Sequence, residues 1–208
     1  MREAVIVAQA RTPIGRAYRG AFNATPAPTL AAHAISRALE RAGIAGEEVD
    51  DVVFGCALPQ GSQAPNVARL AALRAGLPVS VAGMTVDRQC ASGMMAIATA
   101  AKQIVHDGMR IAVGGGVESI SIVQTEKLRI DPDPALLKIQ RDAYMAMLDT
   151  AETVARRYGI GREAQDAYAL SSQQRTAAGQ AAGAFDAEIA PFTTRMKVVD
   201  KETKAESF

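Results

Sequence analysis

Four short apolar runs alternate with longer stretches of helical periodicity, and that alternation limits what the chain can fold into. The runs are Ala4-Val5-Ile6-Val7-Ala8, Asp51 to Cys56, Met84 to Val86 and Arg110 to Val113. Each reads as a buried parallel strand. Between the first two, Thr29 is placed to cap a helix that carries Leu30, Ala34, Ile35, Ala38, Leu39 and Ala42 on one face, and Gly43 is placed to end it. Asn66 opens a second helix through Val67, Leu70, Ala71 and Ala75, and Gly93 to Val105 forms a third. Strands alternating with helices predict an α/β fold with a mostly parallel sheet. Aromatic residues are only 4% of the chain and tryptophan is absent, so the core must be Ala, Val, Ile, Leu and Met, which allows close helix-to-sheet packing.

The third helix is apolar nearly all round: Met94, Met95, Ile97, Ala98, Ala100, Ala101, Ile104 and Val105. Such a helix expects cover on more than one side. Four strands do not obviously supply it, so a partner layer is missing or belongs to another part of the molecule.

Near residue 119 the pattern changes. Asp131-Pro132-Asp133-Pro134 breaks structure, and Asp149-Thr150-Ala151-Glu152 has the form of a capping box opening a helix to Tyr158. Glu163 to Gln180 predicts a longer helix followed by Gly183, and Glu188 to Phe192 a strand. The division expected is residues 1–118 as an α/β half and 119–208 as an inserted subdomain.

A net charge of +1 gives no reason to expect nucleic acid or an anionic membrane surface as partner. Cys56 and Cys90 form no CxxC pair, so neither a metal site nor a redox pair is indicated, and a reducing, cytoplasmic compartment fits. The first apolar run is too short for a signal sequence, and no segment approaches the length of a membrane span. Gly114-Gly115-Gly116 lacks the third small residue of a dinucleotide fingerprint, because Ser119 stands there. Those glycines instead suit close backbone approach beside the cysteine loop. Glu118 reads either as a catalytic carboxylate or as a structural one bonded to backbone N–H groups. Met145, Met147 and Leu148 read as core or as an apolar ligand wall.

Cys90 lies where an apolar strand ends and a small-residue helix begins. A thiol there meets free helix N–H groups and the positive end of the helix dipole, which favour the thiolate that attacks acyl carbon. A small buried hydrophobe in a tight turn is the alternative. His33 and His106 do not adjoin it in sequence, and His106 lies some four turns along the same helix.

The motif Val86-Asp87-Arg88-Gln89-Cys90-Ala91-Ser92-Gly93 resembles the V-N-R-x-C-x-S-G of thiolases. Four other stretches agree in order. Arg11-Thr12-Pro13-Ile14-Gly15 resembles R-T-P-x-G. Gly55-Cys56 with Gln63 and Asn66-Val67-Ala68-Arg69 resembles the degradative-type G-C…Q…N-V-A-R. Gly115-Gly116-Val117-Glu118-Ser119 resembles G-G-x-E-S-M-S, and Thr150-Ala151-Glu152 with Arg162 to Asp166 resembles T-A-E…R-x-x-Q-D of the loop domain. Asp87 departs from the usual Asn, Ile120 from Met, Leu148 from Gly, and Ala146 from a CoA-contacting His.

The resemblance implies a thiolase-like fold: an N-terminal βαβαβ-type half plus part of an inserted loop domain that holds coenzyme A, with the C-terminal half absent. It implies a transferase that exchanges acyl groups between CoA thioesters, with Cys90 as catalytic nucleophile and Met147 in the CoA pocket. Acyl-CoA, 3-ketoacyl-CoA and CoA are its substrates, with no further cofactor, and the assembly is a homodimer or homotetramer. The family's G-H-P histidine, N-E-x-F asparagine and C-x-G cysteine have no counterpart by motif in these residues. Two other readings stand beside it: another condensing enzyme of the same superfamily, and a non-catalytic structural half.

Overall fold

In the computed structural model, residues 2–128 and 130–208 are described, and the chain divides into two compact units. One comprises Met1–Leu128 with Glu188–Phe208, the other Arg129–Ala187.

The first unit is built on a parallel three-stranded sheet. Strands β1 (Asp51–Gly55), β2 (Ala82–Val86) and β3 (Ala112–Gly116) lie in the order β2-β1-β3. Asp51 pairs in register with Ala82 on one side and Ala112 on the other. The central strand is buried along its whole length, as a strand covered on both faces must be. Alternate residues take opposite sides. Val52 and Phe54 join Ala31 and Ile35 of helix α1 (Ala27–Ala42) and Ala68, Ala71 and Ala72 of α2 (Val67–Arg74). Val53 faces the other way, onto Ala96 and Ala100 of α3 (Ser92–His106). Burying each large apolar side chain of β1 contributes about 1.5–3 kcal/mol, so β1 anchors all three layers.

Local chemistry sets the helix ends. Gly43 closes α1 in the left-handed region at φ 65°, where its missing Cβ removes the strain. The helix starts earlier than the Thr29 cap implies: Pro26 is the cap residue and Pro28 occupies the first turn. Asn66 caps α2, its Oδ1 accepting from Arg69 N–H (3.2 Å) and from the Thr85 hydroxyl (2.7 Å). Its Nδ2 donates to the Gly83 carbonyl (2.8 Å), so one side chain ties α2 to β2.

The first expected strand is not formed. Residues 4–8 carry no strand pairing, and Val5, Ile6 and Val7 are 72%, 80% and 69% exposed. A strand needs a neighbour for its backbone groups, and among the described residues β1 alone pairs with β3. The 4–8 segment and β3 instead line an apolar cavity of about 780 Å³. The strand expected at Glu188 to Phe192 reduces to one parallel bridge between Arg11 and Ile189, fastened by Arg11 N–H to the Glu188 carbonyl (2.9 Å) and Ala190 N–H to the Arg11 carbonyl (2.7 Å). That bridge returns the chain to the first unit at 188, and the first unit runs on to 128 rather than dividing near 118. It includes the short helix α4 (Ile120–Val123).

The second unit is helical: α5 (Pro134–Ile139), α6 (Met147–Tyr158) and α7 (Arg162–Ala181). Asp133 caps α5 by accepting from Ala135 N–H (2.8 Å). Helix α6 begins before the expected Asp149 box, with Ala146 as its cap residue and the Thr150 hydroxyl donating back to the Ala146 carbonyl (3.1 Å). None of these three helices buries a residue. Beyond them, the tail forms a short antiparallel pair, β4 (Val198–Val199) with β5 (Glu206–Ser207). No helix among the described residues is long and apolar enough to cross a membrane.

Candidate active site at the β2–α3 turn

Cys90 sits on the turn between β2 and α3, at the carboxyl end of the sheet, and is exposed. The turn is tightly bonded. Gln89 takes the left-handed region at φ 49°. Its N–H donates to Asp87 Oδ1 (2.8 Å), so the aspartate at the family's asparagine position still serves as an acceptor. Arg88 N–H donates to Ser92 Oγ (2.8 Å), and the Ser92 hydroxyl donates to the Gln89 carbonyl (2.5 Å). Ala91 N–H reaches the Arg88 carbonyl and Ser92 N–H the Gln89 carbonyl. Ser92 is 4% exposed, so the thiol stands on a frame whose base is buried.

Backbone packing sets the height of that frame. A Cβ built on Gly55 would overlap the Ser92 carbonyl carbon and the Gly93 nitrogen. One on Gly116 would lie 3.1 Å from Gly93 Cα, and one on Gly114 2.9 Å from Ile97 Cα. The glycines of β1 and β3 therefore let the N-terminal half of α3 settle onto the sheet, in keeping with the close approach expected of Gly114 to Gly116.

Cys56, the second thiol, is 1% exposed just beyond β1. Burial first, and then the charge of Glu118, push its thiol up to about 11. Its sulfur lies 3.7 Å from Glu118 Oε1 and accepts from Gln63 Nε2 at 3.3 Å. The two cysteines are thus in opposite settings, one exposed at a helix start and one sealed beside a carboxylate.

Glu118 follows the structural reading, its Oε2 accepting from Ala57 N–H at 2.8 Å. The two histidines are placed away from the thiol. His33 packs against Phe192 with ring centroids 4.8 Å apart and the planes tilted at 55°, and His106 closes α3 at the end opposite the cysteine. The apolar α3 does lack cover, with Met94 78% and Ile97 47% exposed. In the second unit Met147 and Leu148 are exposed on α6 rather than packed in a core. Met145 lines a cavity of about 570 Å³ with Arg141, Tyr144, Glu152 and Arg156, whereas Met147 is not in its wall. Cys90 lines neither this cavity nor the apolar one of the first unit. No group of three metal-ligating side chains forms among the described residues.

Gln63 is a buried hydrogen-bonding residue beside the site that the sequence shows only as one position of a motif. It is fully buried and joins two strand ends.

Comparison with known proteins identifies the family and the fold. The family described as "Thiolase, N-terminal domain" matches residues 4–207. A 3-ketoacyl-CoA thiolase of Bacillus subtilis is 40% identical over 98% of this chain and 52% of its own length. An acetyl-CoA acetyltransferase of Cupriavidus necator is 41% identical over 92% of this chain and 51% of its own. The crystal structure of the Bacillus anthracis acetyl-CoA acetyltransferase superposes with a TM-score of 0.78 at 33% identity, covering 100% of this chain and 53% of that one. The chain spans about half the length of the relatives it matches.

Proposed function

This chain belongs to the thiolase family through its N-terminal domain, and from that premise we propose that it supplies the nucleophilic half of an acyltransferase acting on CoA thioesters. The observation that carries the reading is the contrast between the thiols: Cys90 is exposed on a rigid turn at the start of α3, and Cys56 is sealed.

In the proposed cycle, the Cys90 thiolate adds to the carbonyl carbon of an acyl-CoA. The tetrahedral oxyanion collapses, the bond from that carbon to the CoA sulfur breaks, and CoA leaves as a thiol after taking a proton. With a 3-ketoacyl-CoA the thiolate adds to the 3-keto carbon. The bond to the α-carbon then breaks, and the acetyl-CoA carbanion that departs is protonated. The S-acyl cysteine is resolved by free CoA, giving a shortened acyl-CoA, or by a second acyl-CoA carbanion, giving a condensed product. The N-terminus of α3 favours negative charge at Cys90. A histidine from a C-terminal half, with that half's asparagine and second cysteine, completes proton transfer and the oxyanion hole.

The remaining assignments belong to the same proposal. The second unit, Arg129–Ala187, forms part of a loop domain for CoA, and Met147 contributes an apolar contact to the pantetheine arm. CoA thioesters are the substrates and no other cofactor is needed. The enzyme is a cytoplasmic homodimer or homotetramer. The Gly55-Cys56-Ala57 motif leans towards 3-ketoacyl-CoA breakdown in fatty acid metabolism. In the complete enzyme the C-terminal half covers the side of α3 that is exposed here.

The test is iodoacetamide labelling of the complete enzyme across pH, with and without acetyl-CoA. The proposal expects Cys90 to label faster than an ordinary thiol and to be protected by acetyl-CoA. Ordinary labelling without protection contradicts it.

A further inference from the structure

The last backbone rung between the carboxyl ends of β1 and β3 is Val117 N–H to the Gly55 carbonyl, at 3.0 Å. Beyond it the strands part, and a side chain continues the ladder. Glu118 Oε2 accepts from Ala57 N–H at 2.8 Å. Its other oxygen accepts from Gln63 Nε2 at 2.6 Å. Gln63, 0% exposed on the 3-10 turn Gly61–Gln63, also donates to the Leu58 carbonyl (2.6 Å) and accepts from Ser119 N–H (2.5 Å). The Ser119 hydroxyl then donates to the Thr25 carbonyl (2.9 Å), at the entry to α1. Four chain segments close on one carboxylate–amide pair.

The residues just inside that knot are Gly55 and Gly116, on which the Ser92–Gly93 backbone rests. Ser92 in turn closes the cysteine turn through both of its hydroxyl bonds. The path from the knot to the thiol is therefore short and made of backbone: strand ends, the start of α3, the turn, Cys90.

We propose that Glu118, locked by Gln63, is the positioning residue for Cys90: by clamping the carboxyl ends of β1 and β3 it sets the seat on which the cysteine turn stands. This rests on Cys90 being the nucleophile. Glu118 itself touches no reacting atom.

The bonding pattern explains why glutamine cannot replace the carboxylate. Glu118 accepts on both oxygens. In Glu118→Gln one position presents N–H groups to a donor, Ala57 N–H or Gln63 Nε2. Rotating Gln63 only moves the clash to Ser119 N–H. An unmet buried donor opens the knot. Exchanging the pair, as Glu118→Gln with Gln63→Glu, restores three contacts. Ala57 N–H donates to the amide oxygen now at position 118, the N–H of that amide donates to the carboxylate now at position 63, and Ser119 N–H donates to the same carboxylate. The exchange forfeits the bond to Leu58 and the contacts of the Cys56 sulfur with Gln63 and Glu118.

The experiment measures kcat and KM of the complete enzyme, and the pH profile of Cys90 alkylation by peptide mapping, for Glu118→Gln, the exchange variant and Cys90→Ala. A seat displaced by about 1 Å lowers kcat by up to about 100-fold while leaving KM nearly unchanged. The Cys90 alkylation rate changes with it, and the exchange variant recovers to within about tenfold of the wild type. A folded Glu118→Gln with unaltered kcat and alkylation profile overturns the proposal. If Glu118→Gln does not fold, the exchange variant decides: recovery supports the knot, and a folded exchange variant as impaired as Cys90→Ala overturns it. Turnover retained by Cys90→Ala overturns the nucleophile reading itself, separately from the clamp.

Discussion

A methyl group on Gly55 has nowhere to go. In the Gly55→Ala protein the new Cβ would sit inside the van der Waals envelope of the Ser92 carbonyl carbon, the Ser92 oxygen and the Gly93 nitrogen. All three are backbone atoms at the start of a 15-residue helix, so no rotamer relieves the overlap. Either α3 lifts from the sheet by about 1 Å or β1 retreats towards α1 and α2, into Ala31, Ile35, Ala68, Ala71 and Ala72, which are fully or nearly fully buried. Overpacking of this kind costs about 3 kcal/mol, the upper end of the usual range. That lowers Tm by about 6–12 °C for a chain of this size. The lift also carries Ser92 away from Arg88 N–H and the Gln89 carbonyl, so the Cys90 turn loosens with it. Gly46→Ala is the control, because its nearest atom would be 3.6 Å away, an ordinary contact. Its cost is below about 0.5 kcal/mol. The assay pairs thermal unfolding by circular dichroism with the iodoacetamide labelling rate of Cys90. If Gly55→Ala melts within about 1 °C of the wild type and labels at the same rate, the argument that backbone contact seats the cysteine turn is refuted.

Asn66→Ala removes the α2 cap and the links to Thr85 and Gly83, and urea unfolding should show a loss of about 2–3 kcal/mol. Asn66→Asp keeps the acceptor and should lose about 1 kcal/mol; equal losses for the two would contradict the account of the cap. Cys56 has its thiol raised from 9.0 to about 11 in the folded chain, so the unfolded chain ionises first as pH rises. Its contribution is fully present below about pH 9 and is lost between there and about pH 11. Cys56→Ala should therefore show a flatter fall in stability across that window, measured by denaturant titration at fixed pH values.

How far the sequence reveals this fold depends on what each element needs from elsewhere. The strand at Val52-Val53-Phe54 was legible because its residues are buried on both faces and any α/β packing rewards that run. Gly43 and Asn66 were legible because a helix end is local chemistry. Ala4 to Ala8 has the same apolar character and still forms no strand, since pairing depends on a neighbour that periodicity cannot supply. The Asp149 box failed for a smaller reason: α6 starts at Met147, which puts Asp149 inside the first turn. In the site, Cys90 was legible from its junction and motif. The Gln63–Glu118 pair was not, because its members stand 55 residues apart and meet only where β1 and β3 leave the sheet.

The central claim is that Cys90 carries the acyl group. Mixing the complete enzyme with acetyl-CoA, quenching in acid and mapping peptides by mass spectrometry tests it most directly. The account predicts one acetyl group, on the peptide containing Cys90, absent from Cys90→Ala and discharged by free CoA. Acetylation of Cys56, or of no cysteine in an enzyme that turns over, would contradict it.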